Sequence, residues 1–499
     1  MHWSSAPDYG LSVVVFQRAL AVVYLLAFVA AARQNRALLG TDGMQPVDRY
    51  VRTVSFRQSP SLFHLRSSDA WLLGVAWTGA LVSAGLLLGV ADALPRGACM
   101  ALWAVPWALY LSIVNVGQTW YAFGWETLLV EAGFLAIFLG PAGSAPTLVL
   151  WLLRWLLFRV EFGAGLIKLR GDACWRDLTC LRYHHESQPM PGPLSWWFHH
   201  LPMPLHRVEV AANHLTQLVV PLGLFAPQPV ARVAAGVMIV TQLWLMASGN
   251  FSWLNALTIA IALPVLGNDV WTALLPAAPP DVVAPPTWHH AVVIGLTALV
   301  GLLSVAPVRN LLSPRQRMNT AHDPLRLVNS YGAFGNITRV RREVVVEGTD
   351  ADAIAPDTEW REYGFRGKPG DPHRRPPQVA PYHLRLDWLM WFAAISPRYA
   401  SGWFAPFVAR LLVNDPATLR LLRHNPFPDR PPTYVRARLY EYRFTTRAER
   451  RETGAWWHRE ALGTFLAPVR RAASTPTSVR DGGGLPRGQR PEWSEGPAV

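Results

Sequence analysis

Lys168 is one of two lysines in a chain that carries 44 arginines, and it closes an apolar run, LVLWLLRWLLFRVEFGAGLIK, that starts at Leu148. Arginine keeps its proton in any protein setting, whereas a desolvated lysine can give it up and act as a base or nucleophile. Arg154, Arg159 and Glu161 lie inside the same run, and Glu126 and Glu131 sit in the apolar segment before it, WETLLVEAGFLAIFLG. Charges are expensive in lipid, so they face a bundle interior or a wet cavity and pair with one another. One reading is a set of interhelical ion pairs between consecutive spans. Another is a polar cavity, extended by Asn213, His214 and Gln217 on a later span and by Asn115 and Gln118, whose field tunes Lys168 toward proton transfer. A plainer reading leaves Lys168 snorkelling from a helix end to the headgroups.

Two further groups hold reactive residue types. Cys174 and Cys180, with His184 and His185, present four potential zinc ligands. However, C-x5-C followed by adjacent histidines departs from the tighter spacing of zinc sites, so no metal is assigned. The two cysteines are disulfide candidates if their loop faces an oxidising compartment, and plain thiols otherwise. Tyr382, His383, Arg385, Asp387 and Trp388 form a compact cluster. On a helix, His383 and Asp387 would be i,i+4 neighbours able to pair, and docking of that helix against the bilayer face is the expectation. No phosphate-binding loop, nucleophile elbow, zinc-protease or dinucleotide pattern occurs in a convincing context.

These residues must be positioned by a chain with two unlike parts. The whole is 51% hydrophobic and 16% charged, unlike an ordinary soluble protein. Residues 1–308 hold 16 Arg/Lys against 14 Asp/Glu, whereas residues 309–499 hold 30 against 19. Apolar runs near 12–32, 71–94, 98–117, 125–140, 146–169, 207–226, 230–248, 252–277 and 288–307 predict eight to ten membrane spans within residues 1–308. The run 125–140 is short, and Pro264 and Gly267 interrupt 252–277. Trp71, Trp120, Trp125, Trp196, Trp197, Trp253 and Trp288, at span ends, predict an interfacial belt.

Residues 309–471 read as a separately packed, water-facing α+β domain. Alternating stretches predict strands in 335–349, 359–367 and 433–446, while RLDWLMWFAAI and PFVARLLVNDPATLRLLRHN read as helical. Residues 472–499, rich in Gly, Pro, Ser and Arg, predict a disordered tail. The fold class is therefore an α-helical multi-pass membrane bundle followed by a β-rich C-terminal domain. The scattered arginines form no nucleic-acid-binding pattern, so membrane lipids or an acidic partner, not nucleic acid, are the expected contacts. Arginines in loops 33–70 and 170–206 place these loops and the C-terminal domain in the cytoplasm by the positive-inside rule.

Four blocks carry a family resemblance: 163–199, 329–349 (NSYGAFGNITRVRREVVVEGT), 368–394 and 454–460 (GAWWHRE). Over residues 11–465 the chain resembles the lipase maturation factor family. The resemblance implies a multi-pass membrane protein that helps exported clients such as lipases to fold, with no known cofactor. It also implies that the large loops and C-terminal domain face the lumen, or the outside of a bacterium, opposite to the charge argument. The Arg-rich, Lys-poor composition points to a bacterial member in the plasma membrane; a eukaryotic one would sit in the endoplasmic reticulum. Locally, Phe162–Leu169 and Trp175 are similar to vitamin K-dependent gamma-glutamyl carboxylase. That similarity implies Lys168 as a base acting on a quinone-type cofactor, although Ile167 replaces the first of the carboxylase's two adjacent lysines.

Overall fold

The computed structural model describes residues 6–471 apart from 142, 144, 282 and 283; the expected disordered tail, 472–499, lies outside the described residues. The chain opens with α1 (Gly10–Leu39), α2 (Asp69–Leu87), α3 (Arg96–Val116), α4 (Gly124–Ile137) and α5 (Thr147–Arg170). After the short α6 (Leu181–Ser187) come α7 (Met203–His214), α8 (Val230–Ser248), α9 (Leu254–Ala262) and α10 (Thr287–Leu303). Helix α1 contains no proline and runs about 45 Å at 1.5 Å per residue. Ser68 caps α2 by accepting the Trp71 N–H, which satisfies one of the unpaired donors of the first turn. Small residues then let α1 and α2 pack closely: a Cβ on Gly79 would stand 2.3 Å from the Phe28 ring.

Among the described residues, six segments are long and apolar enough to cross a membrane: Pro7–Leu39, Asp69–Leu87, Arg96–Val116, Met203–Phe225, Val230–Ser248 and Thr287–Leu312. Leu254–Val265 with Asn268–Leu274, bent by 114°, makes a seventh if the pair is one broken span. By length and composition alone, that measure gives fewer spans than the eight to ten expected. Helix α4 has only 14 residues, all of them buried, and α5 carries Arg154, Arg159, Glu161 and Lys168. Helix α4 is enclosed by other parts of the protein, and α5 buries the face that carries its charges, so groups that lipid would reject can be matched.

Two sheets follow. Strands β1 (Thr320–Ala321) and β2 (Asn329–Ser330) form an antiparallel pair, and a four-stranded antiparallel sheet has the order β4-β3-β5-β6, from β3 (Arg341–Thr349), β4 (Arg361–Glu362), β5 (Tyr434–Phe444) and β6 (Trp457–Arg470). Val345 faces Arg438, and Thr349 faces Tyr434. Strand β5 buries Val435 and Ala437, then Tyr440, Tyr442 and Phe444. The change of phase means opposite faces are covered at its two ends, and it coincides with a register shift against β6 between Leu439 and Tyr440. The stretch expected as a strand at 359–367 contributes only the two residues of β4, because its remaining backbone bends away to bond His424. The 14-residue β6 was not expected at all.

The C-terminal residues do not pack as a separate module. Helix α11 (Arg385–Ile395) has eight of its residues buried, and one continuous apolar core joins α1–α5 and α8–α10 to Trp388, Phe404, Val344 and Val435. The predicted tryptophan belt loses members for the same reason. Trp125 packs 4.8 Å from Trp388, Trp120 lies 5.5 Å from Trp403, and Trp196 donates to the Thr445 carbonyl at 2.8 Å. Trp253 is fully buried and donates to the Trp125 carbonyl at 3.2 Å.

Candidate functional site

Helices α5, α7, α8 and α9 line a partly open cavity of about 1020 Å3, bounded on another side by residues 331–338 and α11. Lys168 lines it and is 6% exposed, so it does not snorkel. Its ammonium donates to Asn213 Oδ1 at 2.9 Å and Gln217 Oε1 at 2.8 Å, and stands 5.0 Å from the centre of the Trp175 ring. Asn213 belongs to α7, and Gln217 to the π-helical stretch Leu215–Val219 that continues it. Such π segments recur where a helix must present side chains to a site.

Glu161, two helical turns before Lys168, also lines the cavity and is 1% exposed. Its Oε1 accepts from Gln242 Nε2 at 2.7 Å, and Gln242 Oε1 in turn accepts from Asn255 Nδ2 at 2.7 Å. Glu161 Oε2 has no hydrogen-bond partner among the described residues. The other walls are largely apolar and aromatic, including Phe251, Phe334, Trp391 and Leu205. A large apolar hollow with a few convergent polar groups suits an amphiphile or an unfolded apolar segment.

The remaining charges of the predicted polar cavity lie elsewhere, because each is drawn to a nearer partner. Glu131 pairs with Arg159 Nη2 across α4 and α5. Glu131 Oε2 also accepts from the Asn329 N–H at 3.0 Å and the Tyr331 hydroxyl at 2.7 Å, while Arg159 Nη1 donates to the Asn329 carbonyl at 2.7 Å. This network pins β2 into the helical bundle. Arg154 donates to the Leu224 carbonyl at 3.1 Å and lies over the Trp151 ring. His214 Nε2 donates to the Trp175 carbonyl at 3.0 Å, tying α7 to the loop after α5.

Glu126 binds the C-terminal cluster. Its Oε1 accepts from Arg385 Nη1 at 2.7 Å and faces His383 Nδ1 at 3.4 Å, and its Oε2 accepts from the Tyr110 hydroxyl. Arg385 donates as well to the Trp120 carbonyl at 2.6 Å and lies 3.5 Å over the Tyr121 ring. Gln34 of α1 bonds both the His383 carbonyl, at 2.7 Å, and the Arg385 N–H, at 3.1 Å, and its amide also approaches the Tyr382 hydroxyl at 3.3 Å. The predicted His383–Asp387 pair does not form, because α11 begins at Arg385 and leaves His383 outside the helix. Asp387 instead accepts the backbone N–H groups of Gly367 at 2.6 Å and Lys368 at 3.0 Å. The helix does not dock against a bilayer face, since His383, Arg385, Asp387 and Trp388 are buried within the protein, with Tyr382 half-buried beside them.

Cys174 and Cys180 form a disulfide, with Cα atoms 4.7 Å apart, which removes the zinc reading built on them. The loop is fixed from both sides. Asp172 accepts the Cys174 N–H at 3.0 Å, and Arg339 grips the same carboxylate at 2.7 and 2.9 Å. Burial works to raise the Asp172 carboxyl, but Arg339 and the backbone donors outweigh it and hold it below the ordinary range. Nearby, burial lifts the Glu186 carboxyl to about 7, although it accepts the Phe444 N–H at 2.6 Å.

Sequence reasoning missed Gln242 and Asn255, each a lone amide in an apolar helix, which is the signal that could have exposed them. It also missed the second lysine. Lys368 is 2% exposed, pairs with Glu343 Oε2 at 2.9 Å, and shares that carboxylate with Arg341 under the sheet.

Residues 11–273 match the family model of the lipase maturation factor transmembrane domain, and residues 327–467 match that of the lipase maturation factor C-terminal domain. The chain is 42% identical to lipase maturation factor 1 of Bos taurus, covering 93% of this chain and 90% of the relative. The chain belongs to the lipase maturation factor family. The human lipase maturation factor 1 is 40% identical over 92% of this chain and 88% of its own length. Lipase maturation factor 2 of Gallus gallus is 30% identical, over 91% and 81% respectively. No solved structure matches it. The family assignment agrees with the multi-pass helical membrane part and the α+β region after it.

Proposed function

We propose that this protein is a membrane-embedded folding helper that brings exported proteins, lipases among them, to their active form. The observation that carries this reading is the extent of the likeness: both family models match, and relatives named lipase maturation factor align along more than nine-tenths of the chain. Two features of the fold support it. The cavity beside Lys168 offers apolar walls to an unfinished segment. Strand β6, mostly exposed, ends the sheet, and such an edge can take an added strand from a client. The Cys174–Cys180 disulfide supports an outward or luminal face for the loop after α5 and the sheet bonded to it, against the positive-inside argument. A bacterial plasma membrane is the location this reading favours.

The carboxylase-like reading, with Lys168 as base toward a quinone-type cofactor, draws no support from the relatives, whose names describe maturation. The test is co-expression of an exported lipase with the full chain or with an empty vector. The secreted lipase is then compared for activity per molecule. A higher specific activity with the chain present is expected; equal specific activity in both cultures overturns the proposal.

A further inference from the structure

Three ligand-type side chains meet at the rim of the cavity. His206 and Glu209 stand three residues apart on one face of α7, and His185 reaches them from α6. Glu209 Oε2 lies 3.4 Å from His185 Nε2, a long hydrogen bond, and 3.3 Å from His206 Nδ1, and one ligand atom from each of the three residues falls within 4.8 Å of the others. Both imidazoles are 2% exposed. His206 Nδ1 has no hydrogen-bond partner among the described residues, and a buried polar atom in that state calls for an ion or an ordered water.

The spacing is informative. Two atoms bound tetrahedrally to one zinc at about 2.0–2.1 Å are about 3.3 Å apart. A direct ionic hydrogen bond from imidazolium to carboxylate would close to about 2.7–2.9 Å. The second carboxylate oxygen is already anchored, since Trp244 Nε1 donates to Glu209 Oε1 at 3.0 Å. An outer donor of this kind orients a ligating carboxylate.

We propose that His185 Nε2, His206 Nδ1 and Glu209 Oε2 bind one divalent metal ion of the zinc type. Two histidines and one carboxylate leave a fourth position for water or an incoming donor, as in open zinc sites. His185 and Glu209 both line the cavity, so that position is reached by whatever the cavity admits.

The full chain, purified in detergent and stripped with a chelator, is titrated with Co2+, whose visible absorption reports a tetrahedral N/O site, and then with Zn2+. One Co2+ per chain, displaced by Zn2+, is expected. His206→Gln and Glu209→Gln should abolish that signal, Trp244→Phe should weaken binding by about 10-fold, and His200→Gln should leave it intact. Absence of saturable binding by the unsubstituted chain overturns the proposal, as does binding that survives Glu209→Gln and is lost in His200→Gln. If the substituted chains misfold, the deciding measurement is the thermal midpoint of the unsubstituted chain. A rise with Zn2+ but not with Mg2+ supports the site, and no difference between the two ions overturns it.

Discussion

Arg385 and Glu126 are 259 residues apart in the chain and 2.7 Å apart in the fold. Both are fully buried, and the pair joins the first part of the membrane bundle to the helix at the heart of the C-terminal part. Arg385→Met would leave the Glu126 carboxylate without its cation, a loss of about 3–5 kcal/mol. Unfolding in detergent measures this, and the double change Arg385→Met with Glu126→Leu should recover much of it. A single Arg385→Met chain as stable as the parent would contradict the role given to this pair.

Glu186 gives the contact between α6 and β5 a pH dependence. Its carboxyl is raised by burial to about 7 in the fold, above the unfolded value of about 4.3. The folded state therefore holds the proton that the unfolded chain releases, so stability falls as pH rises between these two values and levels off above about 7. Glu186→Gln should flatten this slope, as read from thermal midpoints collected between pH 4 and pH 8.

Reducing the Cys174–Cys180 bridge should loosen the loop that carries Trp175 and, through Arg339, the approach to β3. Closing so short a loop contributes about 2 kcal/mol in the chain-entropy account. Cys180→Ser measures the loss. In intact cells, a membrane-impermeant thiol reagent should label these cysteines only after reduction; labelling without reductant would contradict the bridge.

Lys168→Met removes the donor shared by Asn213 and Gln217, leaving two buried amide oxygens unmatched, which costs about 1–3 kcal/mol. Lys168→Arg separates structure from chemistry, because arginine keeps the charge but does not hand over a proton. Lipase maturation should survive Lys168→Arg; its abolition in a stably folded chain would favour the proton-abstracting reading.

Gly163 of α5 lets the segment after β2 approach its backbone, since an added Cβ would stand 2.5 Å from the Tyr331 carbonyl oxygen. Gly163→Ala should therefore push that segment outward and destabilise by about 1–3 kcal/mol. Gly74→Ala, with open space around it, should be near neutral in the same assay.

The apolar runs made the long helices legible, and the alternation in 335–349 and 433–446 located β3 and β5. Strand β6 escaped because WHREALGTFLAPVR is exposed along most of its length and shows no buried face. Its identity comes from pairing with β5, a relationship outside its own sequence. The charged residues were recognisable as a group, but not their sorting. Glu126 finds Arg385, Glu131 finds Arg159, and Glu161 finds Gln242, and only the first two are ion pairs. Nothing local distinguishes these carboxylates, so their partners follow from tertiary packing alone.

The ribosome delivers Glu126 to the bilayer long before it reaches codon 385. Throughout that interval the carboxylate has neither its guanidinium nor the hydrogen bonds that arrive with it. Biogenesis of the embedded half is thus completed from behind, by a segment translated after the last crossing. A product truncated ahead of Arg385 would keep the Tyr110 hydroxyl beside Glu126 but no cation to match its charge.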